Sequence, residues 1–475
     1  MLDSNIGKIV NDALRIWKTP GAAVAIVRGD EVSAEGYGVR EAGKPEPVTP
    51  ETLFGIGSIS KSFTTTAIAI LADEGKVSWD DPVRNHVPFF RLADPVADAN
   101  VTLRDLASHR SGAPRHDGLW YGTDWSTEEI VRRYGLAPMK HPFRTTYEYA
   151  NIPFMAVGLA VAGAANSTWE EFVRNRILEP LKMTSANCRL DQAMKSPDHA
   201  SPHVKKDGKM TPIPWCNLDR EAAAGGINAS VLDMSKWMRL HLSDGEIDGT
   251  RILSTESLRE IHKPHTVIPT ENPDKYGFDS GKHIGNYCLG LMTSDYRGHI
   301  ILTHSGWVLG FISKMVLVPA LDLGVVVLTN STPEHTCGSI SNGILDYLLG
   351  LPKRNWNADF LARNSAEKAD AKVKQAAIVR QKRTRPSRKL EDYVGEYEHP
   401  AYGKVVVTMN DGALSMQLHS RSSVLNHFHF DVFSGKFDWD PFRLVFSLSV
   451  DGEIASAHFA EIDGVEFKRV KMGAL

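Results

Sequence analysis

In GIGSISKSF, residues 55–63, a serine and a lysine stand three positions apart: Ser58 and Lys61. On a helix this spacing brings both side chains onto one face, within reach of each other. A serine hydroxyl is barely nucleophilic at neutral pH and needs a base to take its proton. A lysine can be that base where burial and neighbours lower its pKa enough to keep it neutral. A helix start adds unpaired backbone N–H groups and a dipole that favours developing negative charge. Gly55 and Gly57, just upstream, allow the backbone to come close to a ligand. The tetrapeptide alone does not separate a nucleophile with its base from a polar helix turn. The same spacing recurs at Ser365 and Lys368, in NSAEKAD, where we assign it no chemistry.

Two further patterns bear on the first copy. YEYANIPF contains the only Y-x-N of the chain, Tyr149-Ala150-Asn151, and LTHSGWVLGF the only H-S-G, His304-Ser305-Gly306, on what reads as a strand. S-x-x-K, then Y-x-N, then K/H-[ST]-G is the ordered signature of the penicillin-recognising serine hydrolases. On these motifs the chain resembles the serine β-lactamase-like and penicillin-binding-protein-like hydrolases, near their class C branch. The likeness covers roughly residues 8–350. PGAAVAIVRGDEV…GYG is similar to the opening hairpin of that family, TLRDLASHRSG to its helix leading into an H-x-S-G turn, and AAAGGINASVLDMSKWM to its A-G-G segment before a helix.

The resemblance implies a role for each matching residue. Ser58 is the expected acylated nucleophile and Lys61 its base, with Tyr149 relaying a proton between nucleophile, lysine and leaving group. Asn151 is expected to donate its amide to the substrate carbonyl. The backbone N–H groups of Ser58 and of Trp307, which follows the H-S-G, are the expected oxyanion hole. Ser305 and Gly306 complete the substrate-binding strand. One position departs from the family pattern. β-Lactamases and cell-wall transpeptidases usually carry lysine where His304 stands, and that cation grips a substrate carboxylate. A histidine is mostly neutral at pH 7, which favours amide, ester or thioester substrates over antibiotic hydrolysis and leaves open a share for His304 in proton transfer. The expected function is therefore a serine hydrolase acting through an acyl-serine on amide or peptide substrates, among them those with D-amino acids. The alternatives are a penicillin-binding-protein-type thioesterase or cyclase releasing nonribosomal peptides, a family esterase, and a non-enzymatic ligand sensor. The sensor needs neither Lys61 nor Tyr149.

These residues require particular elements to hold them. An apolar run, an RGDE turn and an alternating run over residues 21–38 predict a β-hairpin. Phe63, Ala67, Ile70 and Leu71 repeat at helical spacing from Ser58 to about Glu74, with Gly75 as the stop. Helices and loops fill residues 101 to about 250, and strands return from around 285, followed by the helix SISNGILDYLLGL. Strands from both ends of one domain around a helical insertion give an α+β fold, an antiparallel sheet flanked by helices plus a helical subdomain. Residues 353–389 are basic and poor in large apolar side chains, a linker or solvated helix. From 390 on, period-two runs around turns at Asp411, Asp451 and Asp463 predict a small antiparallel β-barrel with an aromatic core of its own, Trp439 included, and the resemblance implies that this barrel is lipocalin-like. The expected division is 1–352, 353–389 and 390–475.

Composition narrows the setting. Among 475 residues 42% are hydrophobic and 23% charged, with a formal net charge of −3 and no basic surface interleaved with aromatics, so no nucleic-acid partner is expected. No apolar run approaches a membrane span and the N-terminal stretch has no h-region, which predicts no membrane partner. Cys188, Cys216, Cys288 and Cys337 lie far apart without C-x-x-C, reading as reduced thiols of a cytoplasmic protein. His427 and His429 share a strand but have no third ligand nearby, so neither metal nor cofactor is expected. The expected partner is a small-molecule or peptide substrate, with a homo-oligomer left open.

Overall fold

The computed structural model describes residues 2–269, 283–333, 335–377, 380–437 and 440–470; Trp439 lies outside them. Gly21–Arg28 presents seven successive buried residues and turns back through Gly29 and Asp30 into Glu31–Gly38, Arg28 pairing with Glu31. Gly29 takes φ +56°, which a glycine adopts without strain in so tight a turn. The hairpin read from the sequence is therefore present, and it starts the main sheet.

That sheet runs Glu31–Gly38, Gly21–Arg28, Leu323–Thr329, Phe311–Val318, His299–Val308, Met292–Tyr296, Gly285–Tyr287, Thr266–Val267, every neighbouring pair antiparallel. Gly21–Arg28 pairs directly with Leu323–Thr329, so strands from the two ends of this stretch of chain lie side by side inside the sheet. Strands buried on both faces explain their near-continuous Val/Ile/Leu runs. On one face Ile6, Val10, Trp17, Val24, Val316, Val325, Ile344 and Trp356 form a core with the helices Ser4–Trp17, His335–Leu348 and the start of Trp356–Ala377. On the other lie Val231–Leu242 and Ser60–Asp73, joined by Phe63 stacked on Trp237, ring centroids 3.7 Å apart and planes 11° apart. The expected basic stretch is helical at its start, over Trp356–Ala377.

The C-terminal chain forms a closed eight-stranded antiparallel barrel, from Gly395–His399 to Glu466–Arg469, closed by Tyr397 pairing with Arg469 and Glu398 with Lys468. Asp411 and Gly412 take φ +49° and +77°, as a two-residue hairpin turn requires. Its interior is filled by aromatic side chains: Tyr393, Phe433 and Phe446 meet edge to face at centroid distances of 5.0–5.7 Å. His427 and His429 are separated by a register shift; a ring nitrogen of His427 bonds the Phe430 carbonyl, and His429 Nδ1 accepts the Gln381 N–H.

Packing divides the chain into two units. One runs through Phe89, Ala99–Arg115 and His141–Ser365; the other takes Phe90–Asp98, His116–Lys140 and the chain from Ala366 on. The boundaries read from the sequence do not anticipate that the second unit includes pieces of the first 352 residues. The reason lies in the side chains of that insertion. A ring nitrogen of His116 is 2.8 Å from Tyr402 Oη, and the ring of Trp125 meets that of His419 at 4.6 Å. Arg421 lies over Tyr121 at 5.6 Å. No single helix among the described residues is long and apolar enough to cross a membrane. The four cysteines are free thiols, three of them buried.

Candidate active site

Ser58 sits in a single 3₁₀ turn, Gly57–Ile59, which runs into the α-helix Ser60–Asp73. Every residue from Ser60 to Leu71 is buried, whereas Ser58 is partly exposed, so the turn offers one reachable hydroxyl. Hydroxyls on the helix fix its rotation. Ser60 Oγ accepts the Ile227 N–H at 3.1 Å, Ser62 Oγ accepts Trp237 Nε1–H at 3.1 Å, and Thr64 donates to the Ala223 carbonyl at 2.6 Å. The second S-x-x-K lies elsewhere: Ser365 is exposed on Trp356–Ala377 and bonds back to the Leu361 carbonyl at 2.8 Å.

Two glycines let this turn meet the H-S-G strand. Gly57 takes φ +53°, and a Cβ there would stand 2.7 Å from the Trp307 backbone nitrogen. A Cβ on Gly306 would stand 1.8 Å from the Ile56 carbonyl oxygen, which is held by Ser313 Oγ–H at 2.7 Å. The close approach brings the backbone of Gly57, the residue before Ser58, against that of Trp307. Ser305 and Trp307 expose their side chains, while His304 and Gly306 are turned inward by strand alternation.

Lys61 is fully buried, and its amine is surrounded by oxygens. Nζ lies 3.1 Å from Ser58 Oγ, 2.9 Å from Asn151 Oδ1 and 2.7 Å from the Ala224 carbonyl oxygen. Asn151 is the N-cap of Ile152–Ala165, yet its side chain makes no capping bond and turns to the lysine instead. Beside it Tyr149 is half-buried, with Lys61 Nζ 4.9 Å from its ring centroid.

His304 is buried and neutral. Its Nδ1 is 2.7 Å from the Ser305 carbonyl oxygen, which can only accept, so Nδ1 carries the proton; Nε2 then accepts from Tyr287 O–H at 3.1 Å. Burial, reinforced by the charge of Lys61, pushes its pKa down to about 3. Tyr287 is held protonated by burial and by the neighbouring Tyr149 and Tyr147. His109, from the H-x-S-G turn, packs its ring on Tyr149 at 4.3 Å and on Tyr287 at 4.5 Å. Its Nδ1 accepts the Ala150 N–H at 3.3 Å, and burial followed by Lys61 keeps it neutral.

Thus Ser58, Lys61 and Asn151 are linked by direct contacts, with Tyr149 and His304 beside them and Trp307 contributing its backbone. Neither ring nitrogen of His304 is turned to Ser58 or Lys61. Sequence reading did not find the Ala224 carbonyl, Tyr287, His109 or Arg115, whose guanidinium lies 5.7 Å from the Tyr149 ring centroid. A backbone carbonyl has no side-chain signature, although the A-G-G segment that carries this one was visible. Next to the turn lies a small hollow of about 10 Å³, lined by residues that include Gly55, Trp215, Leu218, Gly225 and Val308.

With this geometry in view, the chain can be set beside known proteins. Residues 10–342 match the protein family described as Beta-lactamase, and residues 379–471 a domain of unknown function, DUF3471. The Unguisins hydrolase ungD of Aspergillus violaceofuscus is 28% identical over 448 residues, 87% of this chain and 78% of that protein. Among solved structures, the octameric penicillin-binding protein homologue from Pyrococcus abyssi is 23% identical, with a TM-score of 0.64 over 98% of this chain and 100% of that one. The D-amino acid amidase from Ochrobactrum anthropi SV3, complexed with L-phenylalanine amide, is 22% identical, with a TM-score of 0.61 over 73% of this chain and 98% of its own.

Proposed function

Because the chain belongs to the Beta-lactamase family of serine hydrolases, we propose that it cleaves amide or peptide bonds through an ester formed on Ser58. One observation carries this reading. Two oxygens beside Lys61 Nζ, at 2.7 and 2.9 Å, are carbonyl oxygens that can only accept. As it stands the amine donates to these two and to Ser58 Oγ at 3.1 Å; once it has given up one proton, two N–H groups still satisfy the carbonyl oxygens and the lone pair is left facing the Ser58 hydroxyl.

Ser58 Oγ then attacks the substrate carbonyl carbon as Lys61 takes its proton. The oxyanion is met by the N–H groups of Ser58 and Trp307. Tyr149, lying against Lys61, passes a proton to the leaving nitrogen as the C–N bond breaks. Water attacks the resulting ester and returns Ser58 to its free form. With its oxygen engaged by Lys61, Asn151 offers its amide N–H₂ to the substrate carbonyl. His304 has both ring nitrogens committed elsewhere, so we assign it to the wall of the site and not to proton transfer. The names of an unguisins hydrolase and a D-amino acid amidase among the similar proteins support amide substrates, and a D-configured residue at the scissile bond is part of the proposal.

The test offers D- and L-amino-acid amides, short esters and peptidyl thioesters, and follows adducts by mass spectrometry. The expected result is an acyl adduct on Ser58 with D-amino-acid amides, released as free acid, and turnover reduced about 10²- to 10⁴-fold in Lys61→Ala and in Tyr149→Phe. Label on another serine, or wild-type turnover in both variants, overturns the mechanism. Acylation by thioesters alone overturns the amide assignment.

A further inference from the structure

The Ala224 carbonyl that meets Lys61 belongs to a single-turn helix, Ala222–Gly225, too short to hold its own carbonyl groups in an internal ladder. The Ala222 carbonyl accepts the Gly226 N–H at 3.0 Å. The next two are taken by side chains of the nucleophile helix Ser60–Asp73. Thr64 Oγ1–H donates to the Ala223 carbonyl at 2.6 Å, and Lys61 Nζ lies 2.7 Å from the Ala224 carbonyl oxygen. Thr64 follows Lys61 by three positions and Ser60 by four, so the three share one helix face. Ser60 Oγ in turn accepts the Ile227 N–H at 3.1 Å. One face of the helix thus grips Ala223, Ala224 and Ile227 in succession.

A threonine within a helix can turn its hydroxyl back onto that helix, as Thr65 does toward the Lys61 and Ser62 carbonyls at 3.3 and 3.0 Å. Thr64 is fully buried and points its hydroxyl across to Ala223 instead. A second helix arrives at the same residue: a Cβ on Gly158 would stand 2.5 Å from the Ala223 Cβ. Gly158 lies on Ile152–Ala165, whose N-cap is Asn151, and Asn151 Oδ1 is the carbonyl oxygen 2.9 Å from Lys61 Nζ. The Thr64–Ala223 bond therefore sits where two supports of the lysine amine are joined. Ala224 is the next residue of the chain, and the Asn151 helix packs on Ala223 itself.

We infer that Thr64 is a positioning residue for acylation: through the Ala223 carbonyl it holds Ala224 so that Lys61 Nζ stays beside Ser58 Oγ. The inference rests on the reading of Lys61 as the base that takes the Ser58 proton. Without the hydroxyl, the Ala223 carbonyl is left buried and short of a donor, which favours rotation of this peptide. The Ala224 carbonyl moves with it, and the lysine amine either follows or loses a partner. Both outcomes draw Nζ away from the 3.1 Å contact with Ser58 Oγ. Misplacement by about 1 Å costs on the order of a hundredfold in rate. Thr64 has no exposed surface with which to meet a substrate, so the loss belongs to kcat and not to KM.

The experiment follows the rate at which a fluorophosphonate labels Ser58 in the full-length chain, each variant held below its own thermal midpoint. Thr64→Val keeps the shape of the side chain and removes the hydroxyl, whereas Thr64→Ser keeps the hydroxyl. Both are compared with wild type, with Lys61→Ala and with the double variant of Lys61→Ala and Thr64→Val. Thr64→Val is expected to slow labelling about ten- to hundredfold, and Thr64→Ser to recover most of the rate. In the Lys61→Ala background Thr64→Val should cost less than about threefold, because residues that act through one another are not additive. On a D-amino-acid amide, kcat should fall in Thr64→Val with KM little changed. Thr64→Ala carries the same comparisons should Thr64→Val not fold. An unchanged labelling rate in the hydroxyl-free variant, or the same loss with and without Lys61, overturns the proposal and leaves Thr64 a packing residue. Wild-type labelling in Lys61→Ala instead rejects the base beneath it.

Discussion

At the scale of single residues, the site is organised by which groups are kept uncharged. A lysine amine is set among two carbonyl oxygens and a serine hydroxyl, and each nearby imidazole has its pKa pushed down so far that it is a poor proton acceptor beside it. His304 is lowered to about 3 and His109 well below its ordinary value, both first by burial and then by Lys61. Elsewhere in the same unit His241 and His262 stack with ring nitrogens 2.9 Å apart; burial lowers His262 to about 4 and His241 well below 6.5. For all four, the folded pKa lies below the unfolded one. Their contribution is then complete above about pH 6.5 and is lost as the pH falls, because the unfolded chain takes up protons first. At pH 5 each such histidine costs about 2 kcal/mol. Carboxylates do not obscure this window. Asp105, although buried, is held below its ordinary pKa by Arg144 and Arg110, and its contribution is lost only at still lower pH. The denaturation midpoint should therefore fall steeply between pH 7 and pH 5, and His262→Asn should reduce that slope by about one proton's share. A flat midpoint across this range contradicts the assignment.

At the scale of elements, the decisive contact is between the Gly57–Ile59 turn and the strand His299–Val308. Gly306→Ala places a methyl carbon 1.8 Å from the Ile56 carbonyl oxygen and 2.3 Å from Ser313 Oγ, and both partners are held by their own hydrogen bond. The strand has to withdraw from the turn, taking the Trp307 N–H with it. Loss of one oxyanion donor costs about 10²- to 10³-fold in rate, and overpacking of this kind about 1–3 kcal/mol in stability. Fluorophosphonate labelling of Ser58 should slow to that degree in Gly306→Ala; an unchanged labelling rate means that the strand does not supply the donor. Much of this element level was legible in the sequence. The hairpin, the nucleophile helix, the returning strands and the barrel each have a period and a punctuating residue, and Asp411-Gly412 turns as its dipeptide requires. The motifs also named Ser58, Lys61 and Asn151, which meet. What was not legible is carried by backbone or by packing: the Ala224 carbonyl on Lys61, the Tyr287 hydroxyl on His304, and Arg115 beside Tyr149 have no spacing rule. Nor did residues 116–140 announce their affiliation, because their aromatics read equally well as part of a helical subdomain.

At the scale of the whole molecule, that affiliation changes what the barrel is for. Ser58, Lys61, Tyr149, Asn151 and His304 all belong to one unit, and the barrel to the other. A chain cut after Pro352 keeps every acylation residue, and the sequence alone suggests that the barrel folds on a core of its own. The packing within the second unit shows what such a cut exposes. Tyr402 is buried, with its hydroxyl 2.8 Å from a ring nitrogen of His116 and its ring against Phe467 at 6.0 Å; a Cβ on Gly118 would stand 3.0 Å from its ring. Ser420 gives both its N–H and its hydroxyl to the Gly122 carbonyl, at 3.2 and 2.7 Å. The inserted segment His116–Lys140 thus packs on the barrel, and it runs in the chain between the H-x-S-G turn and Tyr149. Removing the barrel should leave that segment uncovered and lower the thermal midpoint of what remains. Point variants separate this from a gross folding failure. Tyr402→Phe loses one hydrogen bond, about 1 kcal/mol, whereas Tyr402→Ala leaves a cavity where an aromatic ring stood, about 3–5 kcal/mol. Limited proteolysis should cut Tyr402→Ala within residues 116–140 well before Tyr402→Phe or wild type, while Ser58 in the uncut protein still takes the fluorophosphonate label. If Tyr402→Ala is cut first inside the barrel strands and not in the insertion, the segment owes its order to something other than this packing.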